Sequence, residues 1–158
     1  MATDNTKQQG SHTSGPRLGL VERAKELATN AHEGALDKGG LPYILHPLTV
    51  SETLKDESEE IQAAGALHDI VEDTTTTIEG IERCFGVRVA ELVDLVSRRE
   101  GETYFDFVKR SATDSDAIKI KKADINDNMR TDRGSYILPD GMRKRYEKAL
   151  KILEEANE

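Results

Sequence analysis

Apolar residues recur along this chain at the three-to-four-residue spacing of helices that bury one side, and almost nowhere in the alternation of half-buried strands. Leu20, Val21, Ala24, Leu27, Ala28 and Ala31 form one such stripe. It predicts an amphipathic helix from Leu18 to Ala31, broken by Gly34 and the Gly39-Gly40 pair. The segment 41–46 reads as a loop, because residues before proline are biased away from helix; Pro47 then suits the first turn of a helix reaching about Lys55. Ser58 opens the next, with Glu59 and Glu60 where the helix dipole favours acids, and Ile61, Ala64, Leu67 and Val71 carry it to Asp73. Thr77 caps a helix from Ile78 to Phe85, which Gly86 ends. Further helices are expected over 87–97, 102–112, 115–129 and 141–156, the last introduced by Pro139-Asp140-Gly141. Ile118-Lys119-Ile120-Lys121 alternates, but inside a helix-compatible run. The pattern therefore predicts an all-α bundle of about seven helices.

Length and composition narrow this picture. At 158 residues the chain suits one domain. Residues 1–17 are polar, without apolar periodicity, and are expected to be a disordered tail ahead of a single domain over 18–158. One cysteine, Cys84, excludes an internal disulfide framework and fits a reducing, cytoplasmic setting; beside Phe85 it is expected to be a buried structural thiol. No run approaches the roughly 18 apolar residues of a membrane span. The net charge of −8 argues against long nucleic-acid partners. A small anionic ligand remains compatible, since a divalent cation and a few local Lys or Arg residues can override the global sign.

Candidate chemistry concentrates in His68-Asp69-Ile70-Val71-Glu72-Asp73. A histidine and three carboxylates at the end of one helix oppose its dipole, an arrangement that stability alone would avoid and a bound cation would relieve. The plain alternative is a solvated acidic helix end with an incidental histidine. His46 lies between Pro42 and Pro47, which restrict its backbone, and Asp124 stands one turn before Asn128. Taken alone, each reads as an ordinary structural histidine or a solvated helix face. Together, His46, His68, Asp69 and Asp124 form a mixed nitrogen and oxygen set suited to Mn²⁺, Fe²⁺ or Zn²⁺ rather than Ca²⁺. Four protein ligands leave room for water or phosphate only above fourfold coordination, which favours Mn²⁺.

The order His, His-Asp, Asp resembles that of the HD-domain phosphohydrolases. The local wording is similar to the hydrolase domain of the RelA/SpoT family and its stand-alone small alarmone hydrolases of the Mesh type. The resemblance is carried by 31–34 (Ala-His-Glu-Gly), 42–47 (Pro-Tyr-Ile-Leu-His-Pro), 68–74, Phe85-Gly86, 122–124 (Lys-Ala-Asp) and 128–131 (Asn-Met-Arg-Thr). It implies an all-helical fold, one Mn²⁺ on His46, His68, Asp69 and Asp124, and Glu72 with Asp73 activating or orienting the attacking water. It also implies removal of the 3′-pyrophosphate of nucleotides such as ppGpp or ppApp, giving pyrophosphate and a nucleoside 5′-phosphate. Lys38, Asn128 and Thr131 correspond to substrate-side positions, His32 to a histidine outside the metal sphere, and Tyr43 to a residue that packs or stacks.

One departure stands out. Asp37 replaces the arginine that many alarmone hydrolases carry beside the lysine, and a carboxylate neither stacks on a base nor pairs with phosphate. Base preference is thereby open between guanine and adenine. Other expectations from the residues are an HD-type phosphohydrolase acting on the NADPH 2′-phosphate or a nucleoside monophosphate, a nucleotide-binding sensor with a retired site, and a purely structural helical protein. With nothing after the last helix, a hydrolase alone is expected. Leu150, Ile152 and Leu153 read first as core, while leaving a homo-oligomer open.

Overall fold

The computed structural model describes residues 18–130 and 136–157. The tail expected over 1–17 lies outside them, as does Thr131. Among the described residues nine helices form the fold: α1 (Leu20–Ala31), α2 (Leu45–Thr53), α3 (Glu59–Leu67), α4 (Ile70–Asp73), α5 (Ile78–Phe85), α6 (Val87–Leu95), α7 (Tyr104–Ser111), α8 (Ser115–Asn128) and α9 (Asp140–Ala156). No strand occurs among them; the single isolated bridge, Leu36 to Pro42, closes the loop between α1 and α2.

Helix α3 is the centre of the bundle and contacts α1, α2, α6 and α8. Ile61 and every residue from Ala63 to Leu67 are buried, so α3 is covered nearly all round, as a central helix must be. Its small residues let neighbours approach closely: a Cβ on Gly65 would lie 2.9 Å from Leu54 Cδ1 and 3.5 Å from Ser51 Cα of α2. Ala24, Ala28, Val50, Leu67, Ile70, Leu92, Val93 and Ile120 join in the main core. A second cluster, Val108, Ile118, Ile125, Ala149 and Leu153, fastens α9 to α7 and α8, and Leu150 and Ile152 pack against it. The core reading of the last helix therefore holds.

Two caps match expectation. The Ser58 hydroxyl accepts from Ile61 N, and the Thr77 hydroxyl from Gly80 N. Three local readings need correction. The helix expected from Ser58 to Asp73 is interrupted at His68-Asp69, where the His68 ring donates from Nδ1 to the Gly65 carbonyl at 2.7 Å. His46 is not in a loop but in the first turn of α2, where Pro47 costs nothing because that turn's N–H groups have no helical acceptor. Cys84 is exposed: Ile81 and Phe85 turn into the core, and Cys84 falls to the side of their stripe.

Candidate active site

Four elements meet at one end of the bundle. The start of α2 supplies His46, the break after α3 supplies His68 and Asp69, α4 supplies Glu72 and Asp73, and α8 supplies Lys121, Asp124, Asp127 and Asn128. On α8 the positions 121, 124 and 128 follow the three-to-four-residue spacing of one helix face. The polar run that reads alone as a solvated face is instead turned inward, with Lys121, Asp124 and Asp127 all buried.

The two imidazoles face each other through Nε2, 3.1 Å apart. Their other nitrogens are engaged: His68 Nδ1 donates to the Gly65 carbonyl, and His46 Nδ1 pairs with Asp127 Oδ2 at 2.6 Å. Acceptors at both Nδ1 atoms place the ring protons there and leave both Nε2 lone pairs pointing at one spot. Asp124 Oδ1 is 2.9 Å from His46 Nε2 and 3.3 Å from His68 Nε2. Asp69 Oδ2 is 3.0 Å from His68 Nε2 and 3.6 Å from His46 Nε2. Donor atoms about 2.1 Å from a common ion lie roughly 3.0 Å apart when cis in an octahedron, and about 3.4 Å apart in a tetrahedron. Three of the observed spacings, 3.0, 3.1 and 3.3 Å, fall in that range, while 2.9 Å lies just under it and the Asp69–His46 separation of 3.6 Å just above. Among the described residues, His46, His68 and Asp124 form a group whose donor atoms all lie within 4.8 Å of one another; Asp69 approaches the two imidazoles but is not part of that group. Two lone pairs and the Asp124 oxygen converge, with the Asp69 carboxylate beside them, a donor set that suits a divalent cation, which removes their mutual repulsion.

Without an ion, the cluster holds itself together by shared protons. Burial works against a charged His46, but hydrogen bonds to Asp124 and Asp127 outweigh it and raise its pKa to about 8. His68 is driven up as well, its burial overcome by Asp69 and Asp124. Burial opposes ionisation of Asp124, yet Lys121 and His68 hold its carboxyl well below the ordinary range. Lys121 Nζ donates to Asp124 Oδ2 at 2.8 Å, so the two oxygens of this carboxylate serve different partners. Asn128 Nδ2 donates to Asp124 Oδ1 at 3.1 Å.

Glu72 and Asp73 are shifted the other way. Burial raises the Glu72 carboxyl, against the Arg98 backbone N–H that donates to its Oε1 at 2.6 Å. Burial and then the Asp69 charge raise Asp73. Tyr43 packs as expected, its ring 5.0 Å from that of His32, and its hydroxyl in addition donates to Asp69 Oδ2. His32 is buried beside this group, its Nε2 without a hydrogen-bond partner among the described residues.

Two clefts open from this cluster. One, of about 190 Å³, is lined by His46, Asp69, Glu72, Arg98, Lys121 and Asp124, with Tyr104 among its walls. The other, of about 260 Å³, runs past Asp37, Lys38, Tyr136, Leu138 and Met142. Tyr43, His46, Asn128 and Tyr146 line both. In the second cleft Lys38 Nζ lies 5.6 Å from the Tyr136 ring centroid. Asp37 Oδ1 accepts from Gly39 N and Leu41 N, each at 2.9 Å, and so shapes the loop that presents Lys38. Asp127, Lys121, Arg98 and the Tyr43 hydroxyl escape a sequence reading; the positions of Asp127 and Lys121 on the Asp124 face were the available signal.

Residues 24–130 match the HD domain family. Curated relatives include the bifunctional (p)ppGpp synthase/hydrolase SpoT of Escherichia coli K12, 36% identical over 84% of this chain and 20% of the relative. A guanosine-3′,5′-bis(diphosphate) 3′-pyrophosphohydrolase of Aquifex aeolicus is 37% identical over 70% of this chain and 17% of its own length. A probable GTP pyrophosphokinase of Mycobacterium leprae is 36% identical over 86% of this chain and 18% of its own. The chain spans about a fifth of the length of these relatives. Among solved structures, a metazoan ortholog of SpoT described as hydrolysing ppGpp superposes with a TM-score of 0.71 at 24% identity, over 90% of this chain and 88% of that one. That likeness establishes the shared helical fold.

Proposed function

The chain belongs to the HD-domain family, and from that premise we propose that it is a metal-dependent hydrolase that removes the 3′-pyrophosphate of alarmone nucleotides of the ppGpp or ppApp type. The convergence of His46 Nε2, His68 Nε2, Asp69 and Asp124 beside a carboxyl pair, at the junction of two clefts, carries this reading. The names of the 3′-pyrophosphohydrolase relatives support the substrate class.

His46, His68, Asp69 and Asp124 would hold one Mn²⁺. A divalent ion at such a site lowers the pKa of water and neutralises charge on phosphoryl oxygens. Glu72, fixed by the Arg98 backbone N–H, takes a proton from the attacking water. Its raised pKa suits a base that must also return the proton. Asp73 orients the water or delivers a proton to the departing 3′-oxygen. Tyr43 holds Asp69 by its hydroxyl, and Asp127 keeps the His46 proton on Nδ1. Lys38 and Asn128 receive the nucleotide from the second cleft, whose aromatic wall offers Tyr136 and Tyr146 to a base or sugar; a substrate role for Thr131 rests on the family resemblance alone.

The bond changes are simple. Water forms a new P–O bond at the α-phosphorus of the 3′-diphosphate, the O3′–P bond breaks, and the 3′-oxygen leaves as a hydroxyl. Incubation of ppGpp, ppApp and NADPH with Mn²⁺, followed by ion-exchange separation, tests this. Pyrophosphate from either alarmone, lost on chelation, is the expected result. Turnover of NADPH alone would retain the metal chemistry and discard the alarmone role.

A further inference from the structure

The first cleft carries more positive charge than the proposed chemistry has used. Its far wall is built on the loop between α6 and α7, and that loop is unusually well fastened. Arg110 donates to the carbonyls of Asp94 and Ser97 at 2.8 and 2.6 Å and pairs with the Glu102 carboxylate at 2.8 Å. The Ser111 hydroxyl donates to Leu95 O at 2.6 Å, and the Ser97 hydroxyl to Val93 O at 2.6 Å.

On this loop the cations are treated differently. Arg99 is paired with Asp94 at 3.0 Å, and Arg110 with Glu102. Arg98 forms no ion pair among the described residues; its Nε donates to the Glu102 carbonyl at 2.9 Å, which aims the guanidinium and leaves its terminal amines for something else. An arginine without a carboxylate, at the rim of a cleft in a chain of net charge −8, is a placement with an anionic partner in view. Lys121 of α8 also lines the cleft, buried, with its Nζ 2.8 Å from Asp124 Oδ2 and 4.4 Å from the Phe107 ring centroid. Tyr104 adjoins them, and its buried hydroxyl has no hydrogen-bond partner among the described residues.

We infer that Arg98, with Lys121 behind it and Tyr104 beside it, forms a subsite for the outer phosphate of a diphosphate group, making the enzyme selective for a 3′-diphosphate over a 3′-monophosphate. The inference rests on the proposed function and adds the direction in which the substrate lies. The nucleoside occupies the Lys38 cleft, the reacting phosphorus sits at the His46–Asp124 junction, and the outer phosphate points to Arg98. When O3′–P breaks, pyrophosphate is left on the Arg98 side and the nucleoside on the other, so the two products leave by separate clefts.

Calorimetric titration of the Mn²⁺-loaded protein with pyrophosphate and with inorganic phosphate tests this, together with kcat/KM for a nucleoside 3′-diphosphate and the matching 3′-monophosphate. Arg98→Gln is the informative variant, because the residue is exposed and its backbone N–H, which holds Glu72, survives the change. Wild type is expected to bind pyrophosphate the more tightly. Arg98→Gln is expected to weaken pyrophosphate binding roughly tenfold or more, the usual worth of a hydrogen bond to a charged group, and to shrink the preference for the 3′-diphosphate by a similar factor. Tyr104→Phe, which deletes only the unpaired hydroxyl, is expected to weaken pyrophosphate binding without lowering Tm. Lys38→Met is expected to weaken binding of the nucleoside product and spare pyrophosphate. Equal pyrophosphate affinity in wild type and Arg98→Gln would overturn the subsite whether or not alarmones are turned over. Absence of wild-type turnover would instead overturn the function.

Discussion

Asp127 lies behind His46 and bears on which of its ring nitrogens is free. Its Oδ2 lies 2.6 Å from Nδ1 and keeps the proton there. Asp127→Asn removes the charge behind that bond and is expected to weaken Mn²⁺ binding about tenfold or more, the usual cost of losing such a partner; a metal titration checks it. Glu72→Gln is expected to leave metal affinity intact and lower turnover by roughly 10²- to 10⁴-fold. Because burial raises the Glu72 carboxyl, this proposed base stays protonated to higher pH than an ordinary glutamate. The acid limb of kcat/KM is therefore expected above 4.5, the ordinary value. At this scale the sequence was partly transparent. His46, His68, Asp69 and Asp124 stand out in the sequence only as a set, since each alone reads as structural or solvated, and the fold brings them to one end of the bundle. Lys121, Asp127 and the Tyr43 hydroxyl do not stand out, since each works only through a partner brought near by the fold.

Helix α8 carries more of the candidate site than any other element, and its N-terminus is held by Asp114. The Asp114 Oδ1 accepts from Asp116 N at 2.9 Å and Ala117 N at 3.2 Å, while Arg88 of α6 binds the same carboxylate at 2.9 Å. Asp114→Ala is expected to cost about 1–2 kcal/mol through the cap, a fall of roughly 2–8 °C in Tm for a domain of this size, read by thermal unfolding. The helices themselves were legible, because their apolar stripes and the Ser58 and Thr77 caps are local signals. The break at His68-Asp69 was not. Nothing in the run Ala66-Leu67-His68-Asp69-Ile70 disfavours helix, and it is the His68 ring on the Gly65 carbonyl that interrupts it. Cys84 was misread for a related reason. Its neighbours are apolar, but the helix turn, not the neighbourhood, sets which side faces inward.

As a whole the protein joins folding to an acidic and imidazole cluster that favours different protonation states with and without metal. In the metal-free protein the His46 pKa is raised from 6.5 to about 8, so its contribution to stability is complete below 6.5 and is lost as pH rises through about 8. With metal the sign reverses, since ligation needs neutral imidazoles and displaces their protons. Thermal unfolding in chelator is therefore expected to show Tm falling from pH 6.5 to above 8, while apparent Mn²⁺ affinity climbs over the same interval. At a hundredfold excess over Kd, Mn²⁺ is expected to add about 2.7 kcal/mol. The central claim is attack by water on the α-phosphorus of a 3′-diphosphate. Hydrolysis of ppGpp or ppApp in ¹⁸O-water with Mn²⁺, with the products analysed by mass spectrometry, tests it most directly. One ¹⁸O is expected in released pyrophosphate and none in the nucleoside 5′-phosphate; release of orthophosphate, or label on the nucleoside, would contradict attack at that phosphorus.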